Sequence, residues 1–398
     1  MQLLALLVLS LVPDEPAKKA QADEPGLWDR EHLLGDLGGA RAALEGRGVT
    51  WVLNATAETH SNVHGGLDTG TKAEMLADGV VDADLAKLAG WNGGSARVNP
   101  MWIEGHGVSR DRTGDLMKVS NIDARDGFRL FEAWVQQSAF DGRCSVRAGI
   151  LAADQEFLLS DHSGLFLSGT FGMPVLVSAN VPAPVYPVGA PGVRIAAEPV
   201  DGLTARFAVY DGQPGAEHFN ETGLRLRFQD EEGLLAVGEL EWRRASGCVK
   251  AGFFRHSARF FDHSGNESRN GHHGLYVAAD QELAEGLGAF IRLGGTPDDR
   301  SLIGFYLDAG VVWTGFLPGR DEDALGLAAA WAELSGDFAD AQADPSDWDR
   351  EILIELTWRI ALAKWFHVLP DYQLLLHPGG TSATDDAHVV GLRVDLYF

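Results

Sequence analysis

Basic residues are scarce in this chain. Its 398 residues carry 32 Lys+Arg against 57 Asp+Glu, a formal charge of −25 at pH 7, the wrong sign for a nucleic-acid partner. Cysteine is nearly missing: Cys144 and Cys248 are the only two, too few for a disulfide scaffold and too far apart for a CxxC metal or redox motif. Long apolar runs are missing as well. Nothing after residue 12 approaches the ~18–20 apolar residues of a membrane-spanning helix, which excludes a polytopic helical membrane protein. Helical periodicity is also rare; Trp28–Glu45, with Leu33, Leu34, Leu37, Ala40 and Leu44 at helical spacing, is the main stretch that predicts a short helix.

What is present begins with Leu3–Val12, an apolar stretch of signal-peptide length, although no Lys or Arg precedes it. Ala20-Gln21-Ala22 offers an A-x-A cleavage site before Asp23. These features predict export, with 1–22 as a signal peptide, and place the two cysteines in an oxidising compartment where they either pair or stay free.

The dominant pattern has period two. Leu203, Ala205, Phe207 and Val209 alternate with Thr204, Arg206 and Ala208. Leu224, Leu226 and Phe228 alternate with Arg225 and Arg227; Leu275, Val277 and Ala279 alternate with Tyr276, Ala278 and Asp280. The same holds for Ile352 through Leu362 and for Val390 through Phe398. These are strands with one apolar face and one polar or small face. Turn signals such as Phe140-Asp141-Gly142-Arg143, Asp230-Glu231-Glu232-Gly233, Pro318-Gly319-Arg320 and His377-Pro378-Gly379-Gly380 separate them.

A soluble β-sandwich turns its apolar face inward; an outer-membrane barrel turns it toward lipid around a polar lumen. Long consecutive strands, alternating short and long connections, and charges at mid-strand positions favour the second. The last strand, ending in Phe398 behind apolar residues at every second position, is of the kind that barrel-assembly machinery recognises. The expectation is an all-β chain: a transmembrane antiparallel β-barrel of about 16 strands over 49–398, which allows the ~23 residues per strand and connection typical of porins. Residues 23–48 are expected to form an N-terminal periplasmic segment with a short helix.

At this point a resemblance emerges. Leu33-Leu34-Gly35-Asp36-Leu37-Gly38-Gly39-Ala40-Arg41 resembles the LLGDWGGxR opening of the carbohydrate-selective porins of the OprB type. Val119-Ser120-Asn121-Ile122, Phe131-Glu132-Ala133-Trp134 with Gln137-Ser138, and Ala153-Asp154-Gln155-Glu156-Phe157 are similar to its VSNI, LYELWLEQ and ADSEF segments. So are Phe166-Leu167-Ser168 with Phe171-Gly172, Ala190-Pro191-Gly192-Val193-Arg194, Val209-Tyr210-Asp211-Gly212 and Gly238-Glu239-Leu240. His256-Ser257-Ala258-Arg259-Phe260, Gly274-Leu275-Tyr276 with Ala279-Asp280-Gln281, and Leu317-Pro318-Gly319-Arg320-Asp321 follow in order. Leu356-Thr357-Trp358 and Pro370-Asp371-Tyr372-Gln373 complete the series. Ile150, where a polar residue is expected, and the cysteines depart from the pattern. The resemblance implies a 16-stranded barrel in the outer membrane of a Gram-negative-type bacterium, through which monosaccharides such as glucose diffuse passively. A general or cation-preferring porin of the same fold is the alternative.

Such a channel needs no nucleophile and no cofactor, and the chain is read as a non-enzyme. It needs hydrogen-bonding groups that replace part of a sugar's hydration, and aromatic faces against which C–H surfaces stack. Alternation names the lumen-facing candidates: Glu132, Trp134, Gln136, Arg194, Arg206, Tyr210, Asp211, His256, Tyr276, Asp280, Arg292, Asp308, Glu355, Arg359, Asp371, Gln373, Arg393 and Asp395. Arg194 and Trp134 stand out, since each lies in a family-like motif and neither belongs on a lipid face. Asp154 and Glu156 lie near a strand end, where bonding to loop backbone and contact with sugar are both open readings. His272-His273 reads as a solvated loop and Asp321-Glu322-Asp323 as a loop tip, with no metal site. Trp51, Trp242, Trp313, Trp358 and Trp365 read as an aromatic girdle. Expected partners are small sugars, outer-membrane lipid and lipopolysaccharide, and the assembly machinery through the strand ending in Phe398; the barrel is expected as a monomer or homotrimer.

Overall fold

The computed structural model describes residues 25–215, 220–224, 231–263, 265 and 267–398. The expected signal peptide over 1–22 and the alternation at Arg225–Phe228 lie outside the described residues, and Leu224 belongs to no strand. Among the described residues, sixteen antiparallel strands close into a barrel, each paired with its sequence neighbours. The first four are β1 (Val49–Gly66), β2 (Gly70–Asp84), β3 (Gly94–Gly105) and β4 (Gly127–Ala139). Then come β5 (Cys144–Leu151), β6 (Ala190–Val200), β7 (Leu203–Asp211) and β8 (Leu234–Arg244). β9 (Gly247–Phe261), β10 (Ser268–Ala284), β11 (Leu287–Gly295) and β12 (Ile303–Thr314) continue the wall. It is completed by β13 (Ala324–Leu334), β14 (Arg350–Ala363), β15 (Phe366–Leu376) and β16 (Asp385–Tyr397). β16 pairs with β1, Asn54 opposite Tyr397, and the Phe398 N–H donates to the Leu53 carbonyl at 2.9 Å, so the sheet has no free edge.

The alternation takes the inverted sense. On β14, Glu351, Leu353, Glu355 and Thr357 are buried inside the barrel, while Ile354, Leu356 and Leu362 are exposed outside. On β16, Val390 and Leu392 face out and Arg393 faces in. An apolar surface of this extent is costly in water and matches a hydrocarbon environment. The two-residue turns 201–202, 245–246, 285–286 and 364–365 lie at the end where β1 begins and β16 finishes, and the long connections 106–126 and 152–189 lie at the other. Short turns face the periplasm in outer-membrane barrels, which orients the molecule. Trp51, Trp242, Trp313 and Trp358 all lie toward this end. Trp365 does not join a girdle: it is buried, its ring stacked 5.5 Å from that of Trp28.

The short helix expected within Trp28–Glu45 forms only at the end of that stretch. Leu37, Gly38 and Gly39 have φ of 52°, 68° and 95°, so the chain forms single turns at Leu27–Asp29 and Leu37–Gly39 and a short helix only over Ala40–Gly46. That helix places Arg41 at the barrel seam. Its Nη1 donates to the Trp51 carbonyl at 3.0 Å and its Nη2 to the Phe398 carbonyl at 2.9 Å. The guanidinium also lies 4.0 Å from the centroid of the Trp51 ring. The motif arginine thus ties the amino-terminal segment to both strands of the seam.

Candidate functional site: the lumen constriction

The 152–189 connection folds into the barrel and fills one side of the lumen, an arrangement that alternation does not reveal. Its apolar residues Phe157, Phe166, Phe171, Leu176 and Val177 pack against wall residues Tyr276, Phe290, Tyr306, Ala328 and Leu353 in one core. Inward glycines make the room: a Cβ on Gly288 would lie 2.0 Å from the His162 ring, and one on Gly326 would lie 2.7 Å from the Leu165 side chain. Part of the expected polar lumen is therefore dry, because the sequence supplies a hydrophobic loop to cover it.

Several predicted lumen residues hold this loop. Buried Arg292 pairs with Asp308 and donates to the carbonyls of Leu158 at 3.0 Å, Gly172 at 2.8 Å, Thr170 at 3.1 Å and Phe171 at 2.9 Å. Glu355 accepts from the Leu167 and Ser168 backbone N–H groups. Asp280 accepts from Ser160 and from the Asp161 N–H at 3.0 Å. Glu239 accepts the Leu158 N–H of the loop at 3.0 Å and, on the same oxygen, the hydroxyl of the wall residue Tyr276 at 3.0 Å. The 106–126 connection is held similarly. Glu351 accepts from the Leu116, Met117 and Gly379 N–H groups, Gln373 donates to the Val119 carbonyl at 2.9 Å, and Arg393 donates to Asn121 at 2.6 Å.

Other candidates lie apart. His256 accepts the Ala258 N–H of its own strand at Nδ1, and its Nε2 donates to the Gly212 carbonyl just after β7 at 2.7 Å, so both nitrogens are taken by backbone. Asp211 ends β7 with the parity of Val209 rather than of inward Tyr210, and it accepts from the Gln213 N–H at 3.3 Å; the alternation rule admits one of the pair, not both. Arg359 sits at the turn end, donating to the Glu322 carbonyl at 3.3 Å. His272 and His273 belong to β10 rather than a solvated loop, with buried His272 3 Å or less from a hydroxyl: its Nε2 lies 2.9 Å from Ser301 Oγ. Asp323 is not a solvated tip, being buried against Arg320. Cys144 and Cys248 are both free thiols.

The remaining candidates converge. A register shift between Asn99 and Pro100 sets Asn99 opposite Glu132 but Pro100 opposite Leu130. Pro100 has no N–H for the ladder, and the resulting bulge points both Phe131 and Glu132 inward. Trp134 and Gln136 follow on the same face. Arg194 of β6 pairs with Glu156 at 2.6 Å, donates to Ser145 at 2.6 Å and to Gln136 at 2.8 Å. Arg147 of β5 pairs with the other oxygen of Glu156, donates to Gln136 at 3.1 Å, and lies 3.8 Å from the Trp134 ring centroid. Arg97 approaches the same ring at 5.5 Å, so Trp134 carries guanidinium groups and offers no free face. Arg97 and Arg147 were missed in the sequence although each shares its strand's inward parity; their strands lack the long apolar alternation that draws attention.

Asp154 and Glu156 sit on one turn, Ala153–Gln155 with its flank, that separates two spaces. Above it, a cavity of about 320 Å³ between the two infolded connections is lined by Lys118, Ser120, Asn121, Asp123, Asp154 and Tyr186 among others. Below it, a cavity of about 560 Å³ is lined by Arg97, Gln136, Arg147, Glu156, Arg194, Arg206, Glu241, Arg243 and Lys250 among others. Asp154 accepts the Tyr186 N–H at 2.7 Å, and burial raises its carboxyl to about 7. Asp161, by contrast, is held below the usual range by its hydrogen bond from Arg243. Each arginine of the lower wall has a carboxylate partner. Arg97 pairs with Asp82, Arg147 and Arg194 with Glu156, Arg206 with Glu239 and Glu241, and Arg243 with Glu241 and Asp161. Lys250 donates to the Leu159 carbonyl at 2.6 Å.

The family model described as "Carbohydrate-selective porin, OprB family" matches residues 74–398. The chain belongs to this family. It is a carbohydrate-selective channel of the Gram-negative outer membrane. Porin B of Pseudomonas aeruginosa is 25% identical over 437 aligned positions, covering 96% of this chain and 94% of the relative. A putative porin, QuiX, of Acinetobacter baylyi is 22% identical over 93% of this chain and 94% of its own length. Among solved structures, the high-pH form of Pseudomonas putida OprB superposes with a TM-score of 0.85 at 21% identity, covering 94% of this chain and 100% of that one, a likeness of fold.

Proposed function

We propose that this porin passes neutral monosaccharides such as glucose by diffusion through the Asp154–Glu156 constriction. The observation that carries this reading is the pairing of Arg97, Arg147, Arg194, Arg206 and Arg243 with carboxylates around the lower cavity. Paired charges present fixed donors and acceptors with much of their field cancelled locally, which suits a polyol better than an ion. The more open side chains there, Arg97, Arg206 and Arg243, offer planar donor forks, while Gln136 and Glu156 offer acceptors. Trp134 acts as the platform on which Arg147 lies. A sugar leaving the upper cavity exchanges hydration for these groups one contact at a time, and no single contact is strong enough to trap it. The strand ending in Phe398 is read as the signal for barrel assembly, and the apolar belt as the surface that meets lipid and lipopolysaccharide.

Liposome swelling with refolded protein tests this directly, comparing glucose, a disaccharide, an amino acid and a salt. Glucose flux should exceed that of non-sugars of similar size. Rates ranked by size alone would overturn the reading in favour of a general diffusion pore.

A further inference from the structure

Glu58 and Glu74 face each other directly across β1 and β2, both inside the barrel and both more than nine-tenths buried. Two carboxylates in that relation repel strongly at low dielectric unless something positive lies between them. Glu58 has partial compensation: Arg393 Nε approaches one oxygen at 2.6 Å, and the Ser120 hydroxyl donates to the other. Neither oxygen of Glu74 has a well-formed hydrogen bond or a cation beside it, and the neighbouring Ser120 hydroxyl is given to Glu58. His60, two residues along β1 from Glu58, is 1% exposed, with Nδ1 3.8 Å from Glu58 Oε1. One ligand atom from each of Glu58, His60 and Glu74 lies within 4.8 Å of the others. Asp123 adds a further carboxylate nearby, and Gly107 keeps the space open: a Cβ there would lie 3.0 Å from the Asp123 carboxyl carbon and 3.1 Å from Glu74 Oε1.

We propose that Glu58, His60 and Glu74 bind a divalent transition-metal ion of the zinc or manganese class. An imidazole nitrogen with two carboxylates is a donor set for such ions rather than for calcium or magnesium, which favour oxygen alone. The ion neutralises the opposed carboxylates and supplies the partner that Glu74 lacks. Because Ser120 bonds Glu58 and Arg393 bonds both Glu58 and Asn121, the site braces the foot of the 106–126 connection against the wall. It lies among side chains distinct from the paired arginines of the lower cavity, so it stands whether or not neutral sugars are the preferred solutes.

The test uses the full barrel, refolded in detergent and stripped with chelator. Titration with ZnCl2 followed by calorimetry should show a saturable site, weakened by at least about tenfold in Glu74→Gln and in His60→Gln, with both variants retaining heat-modifiable gel mobility. Equal Zn2+ affinity in the wild type and both variants would overturn the proposal, as would no binding by the wild type; a proton shared between the carboxylates would then be the neutralising charge. Should either variant fail to fold, wild-type crystals soaked in ZnCl2 decide the matter. An anomalous peak between the three side chains supports the site, and its absence there removes it.

Discussion

Arg194 holds more than it displays. With Glu156, Ser145 and Gln136 all on its guanidinium, its removal leaves the turn residue that separates the upper and lower cavities held by Arg147 alone. Arg194→Ala is therefore expected to raise glucose flux in swelling assays and to weaken saturation at high sugar concentration; unchanged flux would take Arg194 out of the path. Asp154 makes a prediction in pH. Its carboxyl titrates near 7 when folded because of burial, against ~4 in an unfolded chain. Between those values the folded state binds the additional proton, so its contribution favours folding fully below ~4 and is lost as pH rises through about 7. Asp154→Asn should then flatten the decline in thermal stability between pH 4 and pH 8, as followed by the heat-induced gel shift. A parallel pH profile for wild type and variant would show that Asp154 carries no such linkage.

Among the elements, the infolded 152–189 connection decides the shape of the pore, and Arg292 is its main tether. The side chain satisfies four loop carbonyls and Asp308 at once. Arg292→Met leaves the Leu158 and Gly172 carbonyls without this donor and the buried Asp308 carboxylate without its counter-charge, with only the Tyr306 hydroxyl still on it, a loss on the order of 3–5 kcal/mol. The sixteen-strand ladder does not depend on it, so the barrel should still show heat-modifiable mobility. Single-channel conductance should rise and the connection should become sensitive to protease. Unaltered conductance would mean that the apolar core of Phe166, Phe171 and Phe290 holds the loop alone. The same element explains part of the glycine count: Gly288, Gly294 and Gly326 each stand where a side chain would collide with a loop residue.

For the whole molecule, the net charge of −25 is a poor guide to selectivity. Field lines from acidic residues at the surface are screened within about a Debye length, while in the lower cavity each arginine sits against a carboxylate. In a KCl gradient across a planar bilayer the reversal potential should lie near zero. A marked cation preference would instead return the chain to the alternative of a cation-selective porin and show that the outer vestibule, not the paired wall, sets permeation.

Strand identity, the inverted apolar face and the closing strand were legible in the residues, because alternation at period two is imposed locally by the pleat and needs no knowledge of partners. Glu351–Leu362 and Val390–Phe398 read correctly for that reason. Glu132, Trp134, Gln136 and Arg194 share the inward parity that alternation assigned them, whereas Glu156 reaches them from the Ala153–Gln155 turn, which parity does not place. The division of labour among inward residues was not legible. Arg292, Glu355 and Arg194 share one sequence signature, an ionisable side chain on the polar face, yet the first two are sealed beneath a hydrophobic loop and the third lines a cavity. Only the path of the 152–189 connection, fixed by long-range packing against β10–β14, determines which inward charges are tethers and which meet the solute. The strand sequences, read alone, decided that there would be a barrel with a polar interior; the tertiary structure decided where in that interior water and sugar can go.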